Sequence, residues 1–318
     1  MLLMSAPAED FPRLFLEAVG KPVQERVPLR NYSNFRIGGP ADYFFEATAL
    51  VDLKSAIHSA RACGVAFHAI GGGFNLLFDD NGFRGFILRN SVRGVTMDDR
   101  GTRLEAASGT PIGDLVDFAL AESLEGFEFL AGIPGTVGGA VFGNAGAFGE
   151  CIGDCLEEAV LLGVDGAESR VQRIYFAFAY RHSRLKLGRD ILLEAKFRLR
   201  PGRADRIKAK IVENLAVRAE KHPPRDTAYA GSYFKNPTLP DGTRAAAGLL
   251  LEQAGAKDLK IGGAAVYPGH CNLLLNTGGA TARDILVLAA ELKERVKDKF
   301  GIELEEEVMF LPARASGL

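Results

Sequence analysis

The first part of the chain alternates short apolar runs with glycine-rich breaks, a pattern typical of mixed α/β structure. Asp42 to Ala47 predicts a strand, and Leu50 to Cys63 predicts a helix because its apolar residues recur at helical spacing before Gly64. Val65 to Ile70 then predicts a strand that leads directly into three consecutive glycines. We therefore expect a βαβ-like opening with a glycine loop at the end of its second strand.

The remaining apolar patterns predict a second unit after a break at Pro201-Gly202. Thr281 followed by Asp284 indicates a capping box at the start of the last helix. The final strand carries consecutive glutamates at 305–307, so one of them must face inward or lie at an edge. Further strands are predicted at Gly85 to Leu88, Gly94 to Met97, Arg103 to Ala107, Ile191 to Leu199 and Glu303 to Leu311, and helices at Pro111 to Ala121, Ala204 to Glu220 and Thr281 to Phe300.

The run from Ala131 to Gly149, AGIPGTVGGAVFGNAGAFG, follows neither a helical nor a strand pattern. It has too many glycines for a regular element and too many apolar residues for a disordered linker. We expect a structured loop with a function.

Composition excludes several classes of protein. Lysine plus arginine (38) nearly balance aspartate plus glutamate (40), so no global positive field would gather nucleic acid or an anionic membrane. The four cysteines form no CxxC pair, which favours reduced thiols, and Cys151 and Cys155 are interpreted as packing thiols. Residues 1–16 lack the basic end of a signal peptide, and no apolar run is long enough to span a membrane. These features predict a soluble cytoplasmic protein.

Two glycine-rich segments are candidate phosphate cradles. Gly71 to Leu77 offers backbone N–H groups with little side-chain obstruction, but a tight structural turn explains this segment alone equally simply. It matches neither a GxGxxG turn nor a Walker loop. Gly132 to Ala140 is a second such segment. Two cradles in one domain fit a dinucleotide better than two coincidental turns.

Five motifs, in order, resemble the UDP-N-acetylenolpyruvoylglucosamine reductase (MurB) family: GGGFNLL, AGIPGTVGGAVFGNAGAFG, YRHS, GSYFKNP and LEEEV. The resemblance covers roughly Asn31 to Leu311. It implies an α+β chain with a two-subdomain FAD-binding fold of the vanillyl-alcohol oxidase (PCMH-type) superfamily at 1–200. A C-terminal α+β substrate domain would follow at 201–318, with the last strand returning to the active site. The chain also resembles the family's shorter second type.

The family resemblance implies a two-step reaction. NADPH reduces a noncovalently held FAD, and the flavin then reduces UDP-N-acetylglucosamine enolpyruvate to UDP-N-acetylmuramate for the cell wall. A non-catalytic flavin- or sugar-nucleotide-binding paralogue, or another oxidoreductase of the superfamily, would share the glycine loops. GSYFKNP and LEEEV favour the reductase because they belong to the substrate half. The sequence indicates no oligomeric state.

The resemblance assigns catalytic roles to Arg181, Ser232 and Glu307. Arg181 would pair with the enolpyruvyl carboxylate, Ser232 would donate a proton, and Glu307 would stabilise developing charge. Considered singly, Arg181 could be a surface arginine. Glu306 stands where the family has proline, which leaves open which glutamate faces the site.

Binding residues follow from the same resemblance. Arg218, Lys221 and His270 could equally be solvated charges and a loop histidine, and no histidine spacing predicts a metal. Phe74 replaces the family's serine, which removes one hydroxyl near the flavin phosphates. The predicted cofactor-binding residues are Gly71, Gly72, Gly73, Phe74, Asn75, Leu76, Gly132, Ile133, Pro134, Gly135, Thr136, Gly138, Gly139, Ala140, Asn144 and Gly146. The predicted substrate-binding residues are Tyr180, Arg218, Lys221, Asn236 and His270.

Overall fold

The structure, a computed structural model, describes residues 10–224 and 226–314. These residues pack into two compact units, each discontinuous in sequence. The first unit comprises the described residues up to Glu25, together with Tyr43–Gly72 and Gly85–Arg218. The second comprises Arg26–Asp42, Gly73–Arg84 and the described residues from Ala219 onward.

Helices occur along the whole described chain. In order they are α1 (Phe11–Val19), α2 (Leu50–Ala62), α3 (Ile112–Ala121), α4 (Val137–Gly143), α5 (Ile152–Cys155), α6 (Ala204–Lys221), α7 (Ala247–Gln253) and α8 (Ala282–Phe300).

The strands are short, and most pair antiparallel. They are β1 (Gln24–Pro28), β2 (Pro40–Ala47), β3 (Phe67–Ile70), β4 (Leu76–Phe78), β5 (Phe83–Asn90), β6 (Val95–Met97), β7 (Arg103–Ala107), β8 (Leu124–Glu125), β9 (Gly146–Ala147), β10 (Glu150–Cys151), β11 (Leu156–Leu162), β12 (Glu168–Gln172), β13 (Ile191–Arg198), β14 (Arg200–Pro201), β15 (Ala228–Ser232), β16 (Lys260–Ile261), β17 (Ala264–Val266), β18 (Leu273–Asn276) and β19 (Met309–Leu311).

The first unit is built around two larger sheets. One has the order β1-β2-β5-β3, with β3 parallel to β5. It packs on α1 through rings of Phe11, Phe15, Phe45 and Phe86 whose centroids lie 5.0 to 5.5 Å apart, and the aliphatic residues of α2 complete the same cluster. The other has the order β12-β11-β13-β7-β6 and is antiparallel. It buries its own apolar cluster with α3 and α4. Each sheet therefore has a separate core, as in a two-subdomain arrangement.

The second unit is centred on the sheet β15-β18-β17-β16 and the long helix α8. The buried face of α8 carries Ile285, Leu288, Leu292 and Val296, and it packs on this sheet. In the same unit β19 pairs in parallel with β4. This pairing brings the residues just after Glu307 beside those just after the glycine loop.

Most predicted elements are present within one or two residues of their expected bounds. The capping box of α8 is confirmed, because the Thr281 Oγ1 accepts the Asp284 N–H at 3.0 Å and the Asp284 Oδ2 accepts the Thr281 N–H at 3.0 Å. All four cysteines are free thiols.

Two expectations about regular structure were wrong. Val137–Gly143 forms helix α4 within the run expected to be a loop, because the side chain of Thr136 caps its start and Val137 and Val141 are buried. The strand expected at Glu303 to Leu311 is limited to β19, Met309–Leu311, and leaves out residues 303–308. Residues 305–307 bond to residues 233–235, whereas β19 bonds to β4. The chain changes partner between these two pairings, so a single regular strand cannot form.

The predicted domain limits, 1–200 and 201–318, remain a prediction. The two compact units show which residues pack together, and Ala204–Arg218 packs with the first unit.

Candidate active site

In the first unit, Arg181 lies at the tip of a tight turn. Ala179 and His182 exchange two backbone hydrogen bonds of 3.1 Å, which leaves Tyr180 and Arg181 as the two turn residues. Arg181 adopts a φ of 53°, in the left-handed region that is uncommon for residues other than glycine. Its guanidinium lies over the Tyr180 ring, 5.2 Å from the centroid. The backbone therefore holds the arginine in a defined, mildly strained position.

The Arg181 turn is anchored to the end of helix α4. The Asn144 amide donates to the Ala179 carbonyl at 2.9 Å, and the buried Ser183 hydroxyl donates to the Phe142 carbonyl at 2.7 Å. Asn144 also accepts the Gly153 N–H at 3.0 Å. Both polar ends of the Asn144 side chain are thus bonded to backbone, so its direct contribution is to the shape of the Arg181 turn.

The two glycine segments lie against each other in the first unit. A Cβ added at Gly71 would come within 2.4 Å of the Thr136 Oγ1, so any other residue there would have to displace the Thr136 segment. The N–H groups of Val137 and Gly138 donate to the Thr110 and Ser108 carbonyls at 2.9 and 2.7 Å. Because these two N–H groups already donate to protein carbonyls, they are not available to bind a phosphate.

The rest of the second glycine segment is partly exposed. Gly132 and Pro134 are exposed, Ile133, Gly135 and Gly138 are intermediate, and Gly139 is exposed while Ala140 is buried. The predicted substrate residue Arg218 packs here, since a Cβ at Gly132 would lie 3.2 Å from its Nε. Gly146 pairs with Cys151 in the small β9–β10 hairpin.

The second half of the GGGFN segment, from Gly73 onward, packs in the second unit. Gly73 has a φ of 69°, and a Cβ there would collide with the Tyr32 carbonyl at 1.9 Å. The Asn75 amide donates to the Glu307 carbonyl at 2.9 Å, and Leu76 pairs with Met309. Phe74 is half-buried. Asn75, predicted from sequence to bind the cofactor, therefore holds the backbone of a predicted catalytic residue.

A β-bulge precedes Ser232. Tyr229 pairs with Leu275 and Ser232 with Leu273, so β15 has one residue more than β18 over this interval. Gly231 adopts a φ of 72° within it. This glycine bulge determines the direction in which the half-buried Ser232 side chain points.

The consecutive glutamates point to different partners. Glu306 lies 3.5 Å from the Lys293 ammonium, and Glu305 pairs with Lys235. The backbone of Glu307 donates to the Tyr233 carbonyl at 2.7 Å, next to Ser232, and its side chain is half-buried. The second unit thus brings Ser232 and Glu307 onto two adjacent, hydrogen-bonded segments.

The predicted substrate residues Lys221 and His270 lie near each other in the second unit. Burial lowers the pKa of His270, and the positive charge of Lys221 acts in the same direction. The His270 Nδ1 accepts the Asn272 N–H at 3.2 Å. Asn236 is exposed, and its Oδ1 accepts the Ala247 N–H at 3.0 Å at the start of α7.

The sequence did not single out Asn272, which the structure places beside this pair of segments. Its side-chain amide is buried and bonds twice to Phe234. The available signal was one amide in the apolar run Cys271 to Leu275, since a buried amide requires partners.

Residues 10–224 and 226–314 contain neither a metal-binding cluster nor a membrane-spanning helix. No group of three or more histidine, cysteine, aspartate or glutamate side chains there could hold a metal ion. Within the same ranges, no helix has the length and apolar character needed to cross a membrane.

Comparison with known proteins gives the class. An FAD binding domain model matches residues 41–171, and the model of the UDP-N-acetylenolpyruvoylglucosamine reductase C-terminal domain matches residues 222–311. The chain is 39% identical over 306 residues to the UDP-N-acetylenolpyruvoylglucosamine reductase of Solibacter usitatus, covering 91% of this chain and 96% of the relative. It is 38% identical to that of Geobacter sulfurreducens, covering 93% and 96%. The fold and these matches define an FAD-containing oxidoreductase.

A solved structure agrees with these matches. The reductase (MurB) from Thermus caldophilus superposes with a TM-score of 0.75 at 32% identity, covering 91% of this chain and all of that chain. The chain belongs to the UDP-N-acetylenolpyruvoylglucosamine reductase family. The predicted family, fold class and FAD cofactor are confirmed.

Proposed function

We propose that this chain reduces UDP-N-acetylglucosamine enolpyruvate to UDP-N-acetylmuramate in the cytoplasm, with NADPH as the reductant and noncovalently held FAD. The observation that carries the proposal is the Ser232–Glu307 arrangement, in which Glu307 donates its N–H to Tyr233 at 2.7 Å. A proton donor and an acid held on adjacent segments suit the protonation step of an enol ether reduction. Both residues lie within residues 222–311, which the model of the reductase C-terminal domain matches.

The residues of the first unit fit FAD. The Gly71 and Thr136 segments lie too close together for a side chain at position 71, and they leave backbone approachable by a pyrophosphate. Thr136 and the exposed glycines of Gly132 to Ala140 would hold the phosphates, with Gly71 and Gly72 facing them. When bound, FAD supplies the hydride acceptor and donor that no side chain can provide.

Arg181 would bind the enolpyruvyl carboxylate. Its guanidinium offers a planar set of donors, and the anchored turn fixes its position before substrate arrives. A positive charge that is already in position stabilises the negative charge that develops on the enolpyruvyl carboxylate and on the carbon next to it.

Glu307 and Ser232 would handle the proton. Glu307 would stabilise the developing enolate with a hydrogen bond from its carboxyl group, and the Ser232 Oγ would deliver the proton that completes the lactyl ether. The bulge at Gly231 and the Glu307–Tyr233 bond set the directions of these two side chains.

Substrate would be anchored away from the reacting carbons. Lys221 and Arg218 would contact the UDP pyrophosphate, and Tyr180 and Asn236 would contact the sugar or the pyrophosphate. His270, whose pKa is lowered by burial, would offer a neutral imidazole near the enolpyruvyl group.

The test separates the two half-reactions in one preparation. Ser232→Ala should reduce flavin with NADPH at close to the wild-type rate, because that step needs no proton from Ser232. Reoxidation by the enolpyruvyl sugar nucleotide should fall by ~10²–10⁴, the range for removing a positioned acid. Stopped-flow absorbance of the flavin band follows both steps. Equal losses in both would show that Ser232 only shapes the site, and no loss in either would remove it from the mechanism.

A further inference from the structure

Asn272 bonds to the segment that carries Ser232 through both its side chain and its backbone. Its Oδ1 accepts the Phe234 N–H at 2.8 Å, and its Nδ2 donates to the Phe234 carbonyl at 2.8 Å. The Asn272 carbonyl accepts the Tyr233 N–H at 2.8 Å. The residue is only 2% exposed, so all three bonds form away from water.

The position of the amide follows from the bulge in β15. Regular pairing with β18 reaches only the Ser232–Leu273 pair. Phe234 lies beyond this pair and is buried, so its backbone groups still need partners. The Asn272 side chain presents one donor and one acceptor to them, as the backbone of a neighbouring strand would.

The same contacts continue to Glu307. The Tyr233 carbonyl accepts the Glu307 N–H at 2.7 Å, and the Lys235 N–H donates to the Glu305 carbonyl at 2.8 Å. Residues 233–235 therefore lie between the Asn272 amide on one side and residues 305–307 on the other. Moving Phe234 would shift Ser232 and Glu307 together.

We propose that Asn272 is a positioning residue for the protonation step, acting through Phe234 and Tyr233 on Ser232 and Glu307. The inference rests on the proposed function of these two residues. The Asn272 amide is buried and does not touch the reacting atoms, but it controls the positions of the Ser232 and Glu307 side chains. A displacement of about 1 Å is enough to slow a step that depends on such alignment by ~10²-fold.

The decisive variant is Asn272→Asp. A carboxylate keeps the acceptor for the Phe234 N–H but, when ionised, cannot donate to the Phe234 carbonyl and places a repelling oxygen against it. Asn276→Ala is the matched control, because this asparagine ends strand β18 and Asn272 immediately precedes the same strand. The Asn276 amide bonds to backbone of Phe35, Gly278 and Ala280 at 2.8, 2.9 and 3.1 Å and contacts neither 232–235 nor 305–308.

We expect Asn272→Asp to reduce flavin with NADPH within about twofold of wild type and to slow reoxidation by the enolpyruvyl sugar nucleotide ~10–10²-fold, the scale for misplacing a catalytic group. Asn276→Ala should lower the melting temperature while leaving both rates within about twofold. Asn272→Ala, which removes both side-chain bonds, serves as the second variant if the aspartate does not fold. A folded Asn272 variant with wild-type reoxidation, or with equal losses in both steps, would overturn the proposal.

Amide hydrogen exchange provides a readout independent of activity. Asn272→Asp should raise exchange in residues 232–235 and 305–308, whereas Asn276→Ala should raise it around 277–281. Unchanged protection of residues 305–308 in Asn272→Asp would overturn the proposal even if reoxidation slowed. A wild-type protein that binds flavin but never reduces the sugar nucleotide would refute the proposed function. The exchange pattern alone would then show whether Asn272 holds residues 232–235 and 305–308 in place.

Discussion

At the scale of single residues, side-chain partners separate glutamates that are adjacent in sequence. Glu306 reaches Lys293, whose exposed pairing is worth at most about 1 kcal/mol. The backbone of Glu307 is held on both sides, by Tyr233 through its N–H and by Asn75 through its carbonyl. These contacts favour our proposal that Glu307, and not Glu306, is the acid of the site.

This distinction gives a paired prediction. Glu307→Gln should lower substrate-dependent flavin reoxidation by ~10²–10³, because an amide N–H stabilises the developing enolate less than the carboxyl group does. Glu306→Gln should change the same rate by less than about threefold, since it breaks only an exposed ion pair. Both rates come from stopped-flow measurements on NADPH-reduced protein. The opposite ranking would transfer the role to Glu306.

The family resemblance predicts three catalytic positions, and these remain a prediction; the sequence did not indicate which residues hold them. Asn75 and Asn144 were expected at the cofactor, and the structure shows both amides bonded to the backbone of segments that carry Glu307 and Arg181. A sequence gives the residue type, whereas the hydrogen-bond partner depends on which distant carbonyl the fold brings near. The role of Asn272 could not be predicted for the same reason.

At the scale of elements, the short helix α4 shows how capping and burial can outweigh composition. Its seven residues include three glycines, which disfavour a helix. The Thr136 hydroxyl accepts the Gly139 N–H at 3.3 Å, and Asn144 ends the helix with a φ of 46°. Periodic elements such as α8 were predictable from sequence, but α4 was not, because tertiary contacts decide its conformation.

The close packing of Gly71 on the start of α4 is testable. A Cβ at Gly71 would lie 2.4 Å from the Thr136 Oγ1, so Gly71→Ala should force the two segments apart at a cost of about 1–3 kcal/mol. FAD affinity, measured by fluorescence titration of the apoprotein, should fall about tenfold or more. Gly143→Ala is the control, because a Cβ there meets nothing within 4 Å. Equal FAD affinities for the two variants would show that Gly71 does not contribute to FAD binding.

At the scale of the whole molecule, each compact unit draws on separated parts of the sequence. Arg26–Asp42 and Gly73–Arg84 pack with the described residues from Ala219 onward, far along the chain. Hydrophobic periodicity reports on local elements and carries no information on which distant segments pair. The division was therefore beyond what the pattern at Pro201-Gly202 could predict.

Global stability should depend on one carboxylate of the first unit. Arg103 and, next, Arg198 hydrogen-bond Glu157 and lower its pKa to about 2 from 4.5. A lowered folded-state pKa contributes stability above the unfolded value that is lost as pH falls through the folded one. Glu157→Gln should thus lower the free energy of unfolding by about 1 kcal/mol at pH 7, the scale of partly exposed pairs.

The expected pH window follows from the same values. The difference in unfolding free energy between wild type and Glu157→Gln should shrink below pH 4.5 and vanish near pH 2. Urea titrations of both proteins at several pH values measure it directly. A difference that stays constant down to pH 3 would contradict the assigned pairing with Arg103 and Arg198.

The pairing of β4 with β19 also has a consequence during synthesis. Asn75 bonds to Glu307 across a sequence separation of 232 residues. At ribosomal rates of about 5–20 residues per second, β4 leaves the ribosome roughly 10–50 s before its partner. Throughout that interval its apolar residues and unpaired backbone are open to other nascent chains. We expect that chaperone occupancy in this period governs the yield of folded protein more than the stability of the finished molecule does.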